Sequence, residues 1–162
     1  MKYFYDTEFL EDGTTIDLIS IGIVAEDGRE YHAVNAGADW ARIRKHEWLM
    51  ANVFPQLPFS GDWKPKDQIR DEVAEFLLAG SPPELWAWYS AYDHVALAQL
   101  FGTMMDLPEG VPMYTNDLRS LIDWVGITAL PEQKAGVHDA LEDARHLKAS
   151  FEYVMRARLG RP

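Results

Sequence analysis

Residues 2–9, K-Y-F-Y-D-T-E-F, run from aromatic, β-favouring positions into polar ones that include two carboxylates, which predicts a β-strand whose successive side chains point to opposite faces. The turn signal Glu11-Asp12-Gly13 follows. Residues 16–24 (I-D-L-I-S-I-G-I-V) alternate at first and are then apolar nearly throughout, which predicts a buried second strand joined to the first as a hairpin. A turn at Asp27-Gly28 leads to a third strand over 30–35, so the three strands form an antiparallel meander.

The period then changes. Trp40, Ile43, Trp48 and Leu49 predict a helix over 40–52, and Pro55, Pro58, Gly61 and Pro65 make 53–66 a loop. Ile69, Val73, Phe76 and Leu77 line one side of a helix over 66–79, which Gly80-Ser81-Pro82-Pro83 stops. Residues 85–89 (L-W-A-W-Y) read as a buried strand, 92–101 as a helix and 113–115 as a fifth strand. Asn116 or Asp117 caps a helix through Trp124, and a loop over 126–136 leads to a last helix over 139–158. Three hairpin strands followed by alternating strands and helices predict a single α/β domain over residues 1–162. Its mixed five-stranded sheet, an antiparallel meander then parallel strands, is flanked by helices.

Composition narrows the class. A chain of 162 residues with 48% hydrophobic and 12% aromatic residues can bury a substantial core. No stretch has the apolar length to span a bilayer, and a first strand beginning at the N-terminus leaves no room for a signal peptide. With no cysteine, disulfides and thiolate metal sites are excluded, and a cytoplasmic protein is expected. The formal net charge of -11 repels polyanions and counts against a protein that coats duplexes. An enzyme that grips one nucleic-acid end through bound cations escapes that argument, because each divalent ion reverses the local field.

Carboxylates then carry the candidate chemistry. On a strand, Asp6 and Glu8 project from one face; they are a hydrated edge or they gather a divalent cation. Asp93, in Ser90-Ala91-Tyr92-Asp93, is an acid favoured by a helix dipole or a third ligand. In H-D-A-L-E-D-A at 138–144, His138 and Asp143 are an acid-rich helix start with an incidental histidine, or a general base and a fourth ligand.

In this order, D-x-E on the first strand, an aspartate opening a middle helix and H-x-A-x-x-D-A on the last helix, the chain resembles the DEDDh family of 3′–5′ exonucleases. That family has a ribonuclease H-like fold, and the resemblance covers nearly the whole chain. It implies that Asp6, Glu8, Asp93 and Asp143 hold two magnesium ions, with manganese as an alternative. It also implies that His138 takes the proton of the attacking water and that nucleoside 5′-monophosphates leave a 3′ end. Many members follow D-x-E with Thr-Thr-Gly or Thr-Gly, whereas Phe9-Leu10 stand here; many carry asparagine or histidine where Trp88-Tyr89-Ser90 precede Asp93. Those positions lie near the terminal nucleotide in the family, so Thr7, Phe9 and Leu10 are expected at the substrate, with core packing the alternative for Phe9 and Leu10.

D-T-E-F with W-A-W and A-Y-D-H-V-A-L looks closer to the small actinobacterial exoribonucleases called ribonuclease AS. That likeness implies a magnesium-dependent homodimer acting on the 3′ end of single-stranded, adenylate-rich RNA. A DEDDh exonuclease acting on DNA or short oligoribonucleotides is the alternative. So is a non-catalytic binding module, against which the intact set of four carboxylates and one histidine argues. Most of the six tryptophans are expected in the core, with Trp40, Trp48 and Trp63 as a candidate dimer patch. Arg42, Arg44, Lys45 and His46 guide RNA or solvate a helix. His32, His94 and His146 are expected to be partly exposed without a role, and Asp139 and Glu142 to favour the last helix's N-terminus.

Overall fold

Three β-favouring runs separated by short turns zip together first. In the computed structural model, which describes residues 1–159, β1 (Lys2–Glu11) pairs antiparallel with β2 (Ile16–Ala25), and β2 with β3 (Glu30–Val34). The other edge of β1 pairs parallel with β4 (Glu84–Ala87), and β4 with β5 (Asn116–Asp117), giving the order β3-β2-β1-β4-β5. The mixed five-stranded α/β sheet expected from the sequence is therefore present. The helices are α1 (Trp40–Ile43), α2 (Glu47–Asn52), α3 (Lys66–Leu78), α4 (Ala91–Phe101), α5 (Leu118–Val125) and α6 (Ala140–Leu159). Among the described residues no helix is long and apolar enough to cross a membrane.

Alternation along β1 divides the core. Tyr3 and Tyr5 join Ile69, Val73 and Leu77 of α3 and Leu97 of α4 on one face, while Phe4 packs with Leu118 of α5 and Leu147 and Phe151 of α6 on the other. The approach of α6 to that second face is close. A Cβ placed on Gly22 would lie 2.3 Å from the backbone of Ala140 and Leu141. Only a glycine lets the first turn of α6 lie this near β2.

Three boundaries differ from expectation. The helix over 40–52 is two helices, because Ile43 and Leu49 are six residues apart and would sit roughly 120° apart around one continuous helix. Both are buried in one cluster with Leu10 and Ile19, and the break lets both reach it. His46 sits at the break with an extended backbone, its Nδ1 accepting from the N–H of Leu49 at 3.3 Å. The loop over 53–66 holds two short 3-10 turns, Phe54–Gln56 and Ser60–Asp62. The fifth strand is Asn116–Asp117 rather than 113–115. Met113 and Tyr114 are exposed, and it is Asn116 that pairs with Trp86, its Nδ2 donating to the Leu85 carbonyl at 3.0 Å.

Candidate active site

The elements converge where β4 stops. Its hydrogen bonding to β1 runs only to Phe4↔Trp86; beyond Ala87, Tyr89 takes a left-handed backbone (φ 53) and turns the chain into α4. The turn is held by Asp117, whose Oδ2 accepts from the Ser90 N–H at 2.7 Å while its Oδ1 caps α5 through the Ser120 N–H. Asp93, in the first turn of α4, thereby comes against the edge of β1 that β4 has left. Its Oδ1 accepts from the Thr7 N–H at 2.9 Å and from the Thr7 Oγ1 at 2.6 Å.

The last helix brings the remaining groups. Asp139 Oδ1 caps its N-terminus by accepting from Leu141 and Glu142 at 3.0 and 3.1 Å, so Asp139 favours that end as expected. Asp143 faces β1; its Oδ2 accepts from the His138 N–H at 2.9 Å and its Oδ1 from the Gln133 side chain. His138 holds a left-handed backbone (φ 68), an unfavoured conformation for a non-glycine residue. Its Nδ1 lies 3.8 Å from Glu8 Oε1, and its ring meets the Trp48 ring edge-on at 4.8 Å.

Glu8, His138 and Asp143 each offer one ligand atom within 4.8 Å of the other two, and Asp6 and Asp93 line the same cavity of about 700 Å³. All five candidate residues therefore share one site. Burial, then the charges of Asp143 and Asp93, pushes Glu8 up to about 8. Burial pushes Asp93 up to about 6 against the opposing Thr7 hydrogen bonds. Asp6 is held well above the usual carboxylate range by burial and by Asp93, Glu8 and Asp143. Asp143 rises by burial while Gln133 and the His138 N–H pull the other way. Four crowded acids that resist ionising are hard oxygen donors whose repulsion a divalent cation removes, so the donor set fits magnesium or manganese.

The residues expected at the substrate separate. Phe9 lines the cavity and stacks on Tyr92, with ring centroids 5.7 Å apart and planes 9° from parallel. Leu10 does not reach it: it is buried with Ile19, with Ile43 of α1 and with Leu49 of α2, which cover β1 beyond Glu8. Thr7, though buried, lines the cavity beside Asp93, to which its hydroxyl donates. Trp40 and Trp63 stack on each other at 4.3 Å and Trp48 lines the cavity, so the three tryptophans do not form one outward patch. Trp124, expected in the core, is 77% exposed beneath Arg158. Of the basic cluster, Arg42 is paired with Asp12 at 2.7 Å and His46 caps α2. His94 Nδ1 contacts Thr115 Oγ1 at 3.0 Å. His146, one turn after Asp143, lines the cavity with Ser150.

Sequence reasoning missed Trp48, Gln133 and His146 as cavity residues. Spacing along α6 could have found His146, since i, i+3 neighbours share a face. No local signal marks Trp48 or Gln133, which arrive from separate segments.

The model of the 3′-5′ exoribonuclease Rv2179c-like domain matches residues 1–155. Two proteins of Mycobacterium tuberculosis are similar: the 3′-5′ exoribonuclease Rv2179c of strain ATCC 25618 / H37Rv and the 3′-5′ exoribonuclease MT2234.1 of strain CDC 1551 / Oshkosh. Each is 50% identical over 158 residues, covering 95% of this chain and 93% of the relative.

Proposed function

Because the chain belongs to the Rv2179c-like 3′-5′ exoribonuclease family, we propose that the cavity hydrolyses single-stranded, adenylate-rich RNA from its 3′ end and releases nucleoside 5′-monophosphates. The observation that carries this reading is the gathering of Asp6, Glu8, Asp93, Asp143 and His138 around one cavity. The four carboxylates would hold two divalent ions, as in the DEDDh pattern, and magnesium is the metal we assign. When bound, the ions supply Lewis-acid stabilisation of the charge that builds on phosphate oxygens during in-line displacement.

The chain's own groups do the rest. His138, partly open to solvent and 3.8 Å from Glu8, takes the proton of the attacking water at its imidazole. The tether from its N–H to Asp143 fixes the loop that carries it. Phe9, Tyr92, Trp48, Trp88 and Tyr89 surround the acidic floor with ring surfaces. Bases of a single strand stack on such surfaces, and a purine offers the larger face. The overall acidity of the chain fits a grip made through ions at one end of the strand rather than along its length.

Incubation with A, U, C and G homopolymers and a DNA oligomer, with magnesium and then with a chelator, tests the reading. Mononucleotides released fastest from the A polymer and abolished by chelation are expected. Release from none of the polymers would overturn the enzyme reading, and equal rates on all four RNAs the adenylate preference. Release from DNA at the same rate would make the chain a general 3′ exonuclease. Sedimentation of the purified protein checks the homodimer that the ribonuclease AS likeness implies.

A further inference from the structure

The middle residue of D-x-E has no part in the chemistry proposed above, yet Thr7 is bound more tightly to the site than its position on the far face of β1 suggests. It is 5% exposed, and both of its polar donors converge on one atom, Oδ1 of Asp93, across a sequence separation of 86 residues. The N–H that makes the 2.9 Å bond points toward the edge of β1 where β4 no longer pairs, so a side-chain carboxylate replaces the missing strand carbonyl. The hydroxyl adds a second bond of 2.6 Å, in the short range of hydrogen bonds to a charged oxygen.

From this geometry we propose that Thr7 is a positioning residue for the cation. With Oδ1 of Asp93 held by two donors, rotation of the carboxyl about its Cβ–Cγ bond is restrained, and Oδ2 is left as the oxygen that would hold the ion. The proposal rests on the metal reading of the site. Thr7 lines the cavity, and its effect on the ion passes through Asp93, whose orientation it fixes. Partners of this kind, one step behind a metal ligand, set affinity because the ligand is already oriented before the ion arrives. The proposal also accounts for a hydroxyl in a strand position where the residues on the same face, Tyr3 and Tyr5, are large and aromatic.

Thr7→Val keeps the shape and the N–H and removes the hydroxyl; Thr7→Ala does the same with less volume; Thr7→Ser restores the hydroxyl. Calorimetric titration of magnesium, and separately manganese, into the RNA-free protein is expected to show affinity lower by about tenfold in Thr7→Val and Thr7→Ala and near that of the parent in Thr7→Ser. Hydrolysis by Thr7→Val should recover at saturating metal with KM for RNA unchanged. Parent-like metal affinity in Thr7→Val and Thr7→Ala, or a Thr7→Ser variant as weak as Thr7→Val, overturns the positioning role and leaves the metal reading standing. A parent protein that binds neither ion overturns both. If Thr7→Val does not fold, Thr7→Ser against Thr7→Ala decides between the same outcomes.

Discussion

Tyr3, Tyr5 and Thr7 on one face of β1 and Phe4, Asp6 and Glu8 on the other are six successive residues of one strand, and they meet opposite surroundings. The first face is packed and almost wholly buried. Tyr3 and Tyr5 are buried among α3 and α4 side chains, and the Tyr5 hydroxyl and Thr115 Oγ1 bond at 2.7 Å. The second face begins in the same way, with Phe4 against Phe151 at 5.1 Å, and then changes as α6 reaches its N-terminus. There Asp6 and Glu8 meet other carboxylates instead of partners. A fold can tolerate such unfavourable crowding where a ligand is meant to relieve it, and the packed face supplies the rigidity that keeps the acids from separating.

The strongest way to break this contrast is Asp6→Ala. We expect loss of RNA hydrolysis on the order of a thousandfold with the melting temperature unchanged or raised, because one member of a repelling group is gone. Near-parent turnover in that variant would show that the crowding on the second face serves no catalysis. His138→Ala should cost about a hundredfold in kcat, the usual weight of a positioned base, with little change in KM. A variant that lost only RNA affinity would assign the imidazole to binding instead.

Gly22→Ala tests whether the second face depends on the approach of α6. The added methyl meets backbone at 2.3 Å, so the first turn of α6, with Asp143 one turn in, must shift. Overpacking of this kind costs about 1–3 kcal/mol, read as a lower denaturation midpoint, and activity should fall with it. Full activity at reduced stability would mean that the acids do not depend on that close packing.

The smallest effect separates the faces electrostatically. Without metal, folded Glu8 titrates at about 8 rather than at the ordinary 4.5, so the folded state holds a proton that the unfolded chain has lost. Stability of the metal-free protein should therefore fall as pH rises from about 4.5 to about 8. Magnesium should raise the melting temperature more at pH 8 than at pH 6, because at the lower pH the ion must first displace protons. An equal shift at both pH values would remove Glu8 from the ion's ligands.

Much of this was legible along the chain. The period of two on residues 2–9 put Asp6 with Glu8, and it also put Leu10 on the same side. Periodicity could not show that α1 and α2 cover that side beyond Glu8, where Leu10 packs with Ile43 and Leu49 instead of meeting substrate. Trp40, Ile43, Trp48 and Leu49 approximate the spacing of one helix over 40–52 without sharing one face, and only the shared burial of Ile43 and Leu49 shows the break between α1 and α2. The two-residue β5 carries no β-branched or aromatic side chain, so its place was set by pairing with β4 and not by propensity.

By itself, then, the sequence determined which side chains could stand together: two carboxylates on one strand face, an aspartate at the start of α4, a histidine and an aspartate about one turn apart at the start of α6. These are consequences of periodicity, which is a property of the backbone alone. What only the tertiary structure decided was what stands opposite each of them. That Thr7 holds Asp93, that Trp48 meets His138, that Gln133 reaches Asp143 and that Gly22 admits α6 all depend on packing between separate elements. Local spacing says which way a side chain points; the packing of distant elements decides what it finds there.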